Sequence, residues 1–140
     1  MEIIDLAPDD ARWAQAFEVL RELRTHLTEA MLTDVLAEGT PQGLRFTAVF
    51  DGDECIGVAG WRLVANTSAI RKLYVDDLVT RATDRSRGAG ALLLADLESR
   101  ARAAGCTVID LDSGVEKHDA HRFYLRERMH IRGHHFTKVL

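Results

Sequence analysis

The stretch Arg85-Ser86-Arg87-Gly88-Ala89-Gly90 constrains this chain more than any other, because of what stands on either side of it. Before it comes the strand-like run Leu73-Tyr74-Val75-Asp76-Asp77-Leu78-Val79, and after it an apolar helix opens with Ala91-Leu92-Leu93-Leu94. Strand, glycine turn and helix in that order form an anion-binding device. The helix start leaves main-chain N–H groups unpaired, the helix dipole adds partial positive charge, and glycine lets a phosphate approach the main chain. Arg85 and Arg87 add full charges beside them. A P-loop would need Lys followed by Ser or Thr after its glycines, and neither pair is here. A dinucleotide turn would need a third glycine where Leu93 stands, within a run of further βαβ units that the chain lacks.

What remains, Arg-x-x-Gly-x-Gly after a strand, resembles the acetyl-CoA loop of the GNAT superfamily of N-acetyltransferases, ungapped over residues 76–90. Further on, Ala120-His121-Arg122-Phe123-Tyr124 resembles the family's Ala-x-x-Phe-Tyr helix, so the likeness covers about the second half of the chain. Departures are local. The family often has proline, an aromatic and a further glycine where Ala82, Asp84 and Ser86 stand, an asparagine at Lys117, and Gly-Phe at Arg128-Met129.

The resemblance implies an α/β fold with a mixed, mostly antiparallel central sheet, helices on both faces, and acetyl-CoA as co-substrate. It implies direct transfer of acetyl to a primary amine of a small molecule in a ternary complex. Arg85, Arg87 and the main-chain N–H groups of Arg87, Gly88, Ala89, Gly90 and Ala91 would hold the pyrophosphate, while the strand edge at Leu78 and Val79 would pair with the pantetheine arm. Tyr124 is the candidate acid, since a phenol of ordinary pKa is protonated at neutral pH and can donate to a departing thiolate. For the base, consecutive strand residues point to opposite faces, so only one of Asp76 and Asp77 can face the acceptor unless a bulge shifts the phase. The ungapped comparison favours Asp77; deprotonation through ordered water, or a structural carboxylate paired with Arg71, are the alternatives.

The rest of the chain supplies a frame for that core motif. Residues 2–6 read as a strand, and Trp13, Phe17, Leu20, Leu23 and Leu27 form one apolar stripe of a helix over residues 11–28. A second helix is expected over 29–37, stopped by Gly39 and Pro41. Residues 46–50 and 55–63 make a hairpin around Asp51-Gly52, and 71–79 is the next strand. A helix over 88–104, a strand over 107–112, a helix over 117–127 and one or two closing strands within 130–139 complete the order βααβββαβαβ in a single domain, 1–140.

Charge and cysteine usage narrow the partners. A net charge of −4 argues against nucleic acid, whose backbone needs a basic face, and suits a cationic amine better. Glu29, Asp34 and Glu38, in the helical pair that covers the acceptor in the family, could attract an ammonium, though a solvated face is the favoured reading of them. No run approaches the ~20 apolar residues needed to span a bilayer. Cys55 and Cys106 sit in apolar company with no signal peptide ahead, so a reduced, cytoplasmic protein is expected, with room for a homodimer. The histidines 118, 121, 130, 134 and 135 come with no Cys-x-x-Cys frame, and no metal is expected; His121, three residues before Tyr124, could still face the acceptor. The rival reading is an acyl-CoA-binding module without turnover, and a protein amine is the alternative acceptor.

Overall fold

The computed structural model describes residues 1–140. Its elements are β1 (Glu2–Leu6), α1 (Trp13–Leu23), α2 (Glu29–Gly39), β2 (Arg45–Asp51), β3 (Glu54–Val64), β4 (Lys72–Thr80), α3 (Ala89–Ala103), β5 (Val108–Leu111) and α4 (His118–Arg126), with short 3-10 turns at Thr40–Gln42 and Ala82–Asp84. The five strands form one sheet in the order β1-β2-β3-β4-β5, and the pairs β1/β2, β2/β3 and β3/β4 are antiparallel. The chain packs as two compact units, Met1–Asp110 and Leu111–Leu140.

Helices cover both faces of the sheet. Trp13, Ala16, Phe17 and Leu20 of α1 share one apolar cluster with Phe46, Ala48 and Phe50 of β2 and Val58 of β3. Gly57 precedes Val58 in an extended strand and therefore faces the other way. There a Cβ on Gly57 would lie 3.2 Å from Leu93 Cδ1 and 3.5 Å from the Ala89 Cβ, so the missing side chain lets α3 settle close to the sheet. Leu93, Leu94 and Leu97 of α3 are buried against that face, each worth about 1.5–3 kcal/mol of apolar burial. β3 is consequently buried on both sides from Cys55 to Trp61.

Two expectations change. α1 ends at Leu23 instead of running to residue 28: Arg24 leaves helical geometry at φ −110°, ψ 72°, and Thr28 instead caps α2 by accepting from the Met31 N–H at 3.1 Å. The closing strands are absent, and residues 129–140 carry no helix or strand. Ile131, Phe136 and Val139 fall five and three residues apart, so no single strand face collects them, and they remain 79%, 92% and 92% exposed. No helix is long and apolar enough to cross a membrane.

Candidate active site

At the end of β4 the chain turns twice through left-handed geometry, at Ser86 (φ 71°) and Gly88 (φ 88°), before α3 begins at Ala89. Gly88 is there because its conformation favours a residue without a Cβ, and the space in front of it is open: an added Cβ would meet no atom within 4 Å. The Leu92 N–H, bonded to the Gly88 carbonyl at 2.9 Å, closes the first helical turn. The N–H groups of Ala89, Gly90 and Ala91 precede it and have no helical partner. Such a turn can receive an anion.

A chain of alternating charges braces this loop. Asp84, with 8% of its side chain exposed, accepts from Arg81 Nε at 2.5 Å, Arg87 Nη1 at 2.6 Å and the Thr83 hydroxyl at 2.9 Å. Arg81 reaches on to Glu54 at 2.8 Å and Arg87 to Asp51 at 2.5 Å, residues that flank the β2–β3 turn. From α1, Glu22 accepts the Ala82 N–H at 2.7 Å. The guanidinium groups of Arg81 and Arg87 hold the Asp84 carboxyl far below the usual carboxylate range, and Arg87 lowers Asp51 in the same way. The two arginines singled out in the sequence therefore differ. Arg87 is compensated by two carboxylates, whereas Arg85 is exposed and joins no ion pair.

Upstream, β4 carries a bulge opposite the Gly60/Trp61 step. Gly60 lies across from Asp77 and Trp61 across from Val75, which leaves Asp76 without a partner residue. The expected divergence of Asp76 and Asp77 is thereby cancelled, and both enter one charged cluster. Arg24 donates Nε to Asp77 Oδ1 at 2.7 Å and Nη2 to the Asp76 carbonyl at 2.9 Å. Arg62 grips Asp76 through Nε and Nη2, both at 3.0 Å. Neither aspartate pairs with Arg71. A Cβ on Gly60 would stand 2.7 Å from Asp77 Oδ2, so this glycine makes room for the carboxylate. Burial pushes Asp77 above its ordinary value, against the opposing pull of Arg24.

Leu78 and Val79 follow the bulge, paired on their inner side with Ala59 and Val58. On the outer side β5 has four residues against nine in β4, and Lys72 Nζ meets Asp110 at 2.8 Å, which sets β5 beside the start of β4. Part of the outer edge therefore has no strand partner, a geometry open to an extended ligand.

In the C-terminal unit, Tyr124 sits on α4 beside Phe123, ring centroids 5.4 Å apart. Burial raises its pKa above 10, so the phenol keeps its proton at neutral pH. His121 Nε2 lies 2.7 Å from the Gly114 carbonyl, an engagement that ties this nitrogen to the loop before α4. Arg24, Arg62, Gly60, Glu22, Asp51 and Glu54 were not singled out from sequence as site residues, Asp51 being read only as part of a hairpin turn. Only Gly60, a glycine inside a strand, carried a signal, since such glycines mark bulges.

The profile of the Acetyltransferase (GNAT) family matches residues 6–129. The chain is 33% identical over 113 residues, 80% of each protein, to the uncharacterized N-acetyltransferase YhdJ of Bacillus subtilis (strain 168). To the aminoalkylphosphonate N-acetyltransferase of Salmonella typhimurium it is 39% identical over 66 residues, 47% of this chain and 43% of that one. The fold is also that of a Trypanosoma brucei acetyltransferase, at TM-score 0.80 with 19% identity and 99% of both chains covered.

Proposed function

This chain is a GNAT-type acyltransferase that belongs to the acetyltransferase (GNAT) family, and we propose that it moves the acetyl group of acetyl-CoA to a primary amine of a small molecule. The observation that carries this reading is the sequence of features along one stretch: a half-buried aspartate at a β4 bulge, a strand edge without a full partner, and an anion-receptive glycine turn. Arg85 and the N–H groups from Gly88 to Ala91 would hold the pyrophosphate, the Arg87 N–H expected to join them being taken by the Asp84 carbonyl at 3.3 Å, and the edge at Leu78 and Val79 would pair with the pantetheine amides. Asp77, directly or through a water, would take the proton that the attacking amine loses. Tyr124 would return one to the sulfur as the C–S bond breaks, so that amine and thioester become amide and thiol.

Direct transfer in a ternary complex is supported by the cysteines. Cys55 is buried and its thiol is pushed up to about 11 by burial, so it offers no thiolate for an acyl-enzyme at neutral pH. Both cysteines are free and buried, which suits a reducing compartment, and we assign the protein to the cytoplasm as one catalytic domain acting as a monomer or homodimer.

Small molecules that carry a primary amine beside an anion, as aminoalkylphosphonates do, head the acceptors to test, because a relative 39% identical over 66 residues is an aminoalkylphosphonate N-acetyltransferase. The test is acetyl-CoA turnover, read as thiol release, across amine classes including peptides. Amine-dependent release with a small primary amine is expected. CoA binding without turnover on any amine would instead make the chain a binding module, and turnover on peptides alone would move the acceptor to protein.

A further inference from the structure

We infer that Arg24, the residue at which α1 ends, is a positioning residue for proton transfer: it fixes the Asp77 carboxylate and the bulge beneath it. This rests on Asp77 being the base. Three observations carry it. Arg24 makes two contacts that differ in kind, one to the carboxylate (2.7 Å) and one to the main-chain carbonyl of Asp76 (2.9 Å), so a single guanidinium sets both the side chain and the peptide plane next to it. Gly60 leaves the other carboxylate oxygen a space that a Cβ would fill at 2.7 Å, so Asp77 is confined from the β3 side as well. The third is where α1 stops. Its last turn gives way at Arg24, whose own N–H bonds the Leu20 carbonyl, so the guanidinium leaves from the electronegative end of the helix and reaches β4.

The charged groups facing Asp77 are few: Arg24 from the end of α1, Arg62 from β3 and Asp76 from β4 itself. Arg62 is occupied, both of its bonds going to Asp76, which leaves Arg24 as the group that donates to Asp77. Burial favours the protonated acid and Arg24 favours the carboxylate, so Arg24 keeps a shielded base ionised where an amine must be deprotonated. Arg24 retains 44% side-chain exposure against 13% for Asp77, so it reaches the half-buried carboxylate from the solvent side.

The experiment compares pH profiles of kcat/KM for wild type, Arg24→Gln, Arg24→Lys and Asp77→Asn, with CoA affinity measured by calorimetry for each. Arg24→Gln should move the acid limb upward by about 1 pH unit, the lower end of what an adjacent opposite charge supplies, with CoA affinity unaltered. Arg24→Lys, which keeps the charge but cannot span both acceptors, should return the limb towards wild type while the plateau stays reduced. A folded Arg24→Gln protein with an unmoved limb overturns the inference; so, should that variant fail to fold, does an Arg24→Lys protein with a wild-type plateau and limb. Asp77→Asn separates the two layers. If it retains both activity and the acid limb, the assignment of Asp77 as base has failed; if it loses them while Arg24→Gln leaves the limb in place, only the role of Arg24 has.

Discussion

Asp84 in the glycine loop and Asp77 in the β4 bulge are both held by arginine, yet they are driven in opposite directions. Two guanidinium groups and a hydroxyl converge on Asp84 and lower it far below the carboxylate range. Asp77 has a single guanidinium donating to it, and there the cost of burying the charge outweighs that one partner. The difference matches the uses proposed for them. A carboxylate that never takes up a proton near neutral pH is a brace, and Asp84 holds the loop to the β2–β3 turn through Arg81 and Arg87. A carboxylate lifted towards the working pH can accept a proton and release it again.

The loop side of this contrast breaks most completely with Gly88→Val. A β-branched residue resists φ 88°, and its side chain would occupy the open space in front of the turn. CoA binding should be abolished by calorimetry, while the protein still folds, because the new Cβ meets no protein atom within 4 Å. Wild-type affinity in the folded variant would remove the loop from the site.

On the proton side, Tyr124→Phe keeps the ring and its contact with Phe123 but deletes the donor. We expect kcat to fall by about 10²-fold, the lower end for a general acid, since a CoA thiolate is a tolerable leaving group and water can substitute. Stability and CoA affinity should barely move. An unchanged kcat across several acceptors would leave Asp77 as the only proton-transfer group.

A smaller effect separates the aspartates through stability. Asp84 has a depressed folded pKa, so its contribution is present above the ordinary carboxylate value and is lost as pH falls through the acid range. Asp77 has a raised one, so its contribution is present below the ordinary value and is lost as pH rises through its folded pKa. Asp84→Asn should therefore lower the melting temperature at neutral pH and flatten its decline on acidification, whereas Asp77→Asn should not lower it at neutral pH. Matching melting curves for the two variants would erase the distinction.

The loop was legible in sequence because its signal is local: a strand, glycines at fixed offsets and an apolar helix follow one another within about twenty residues. Its brace was not, since Arg87 meets Asp51 from 36 residues away and Ala82 meets Glu22 from 60. The same contacts account for the departures from the family pattern. Ala82 donates an N–H to Glu22 that a proline would lack, Asp84 is the hub of the ion pairs, and Ser86 adopts the φ of 71° that a glycine takes without strain. The bulge was half legible. Gly60 announces an irregular strand, but the pairing of Asp77 with Arg24 depends on where α1 stops, and the apolar stripe through Leu27 pointed past that end. In residues 130–139, strand-forming residues without a shared face produced an expectation that the packing does not honour.

The contrast is tested most directly by a carboxyl 13C NMR titration that follows Asp77 and Asp84 in one sample of the wild-type protein. Against an ordinary aspartate value of 3.8, Asp77 should take up its proton above that pH while Asp84 stays ionised well below it. Asp77 titrating at or below 3.8, or the two carboxyls titrating together, would contradict the division between a base at the bulge and a brace in the loop.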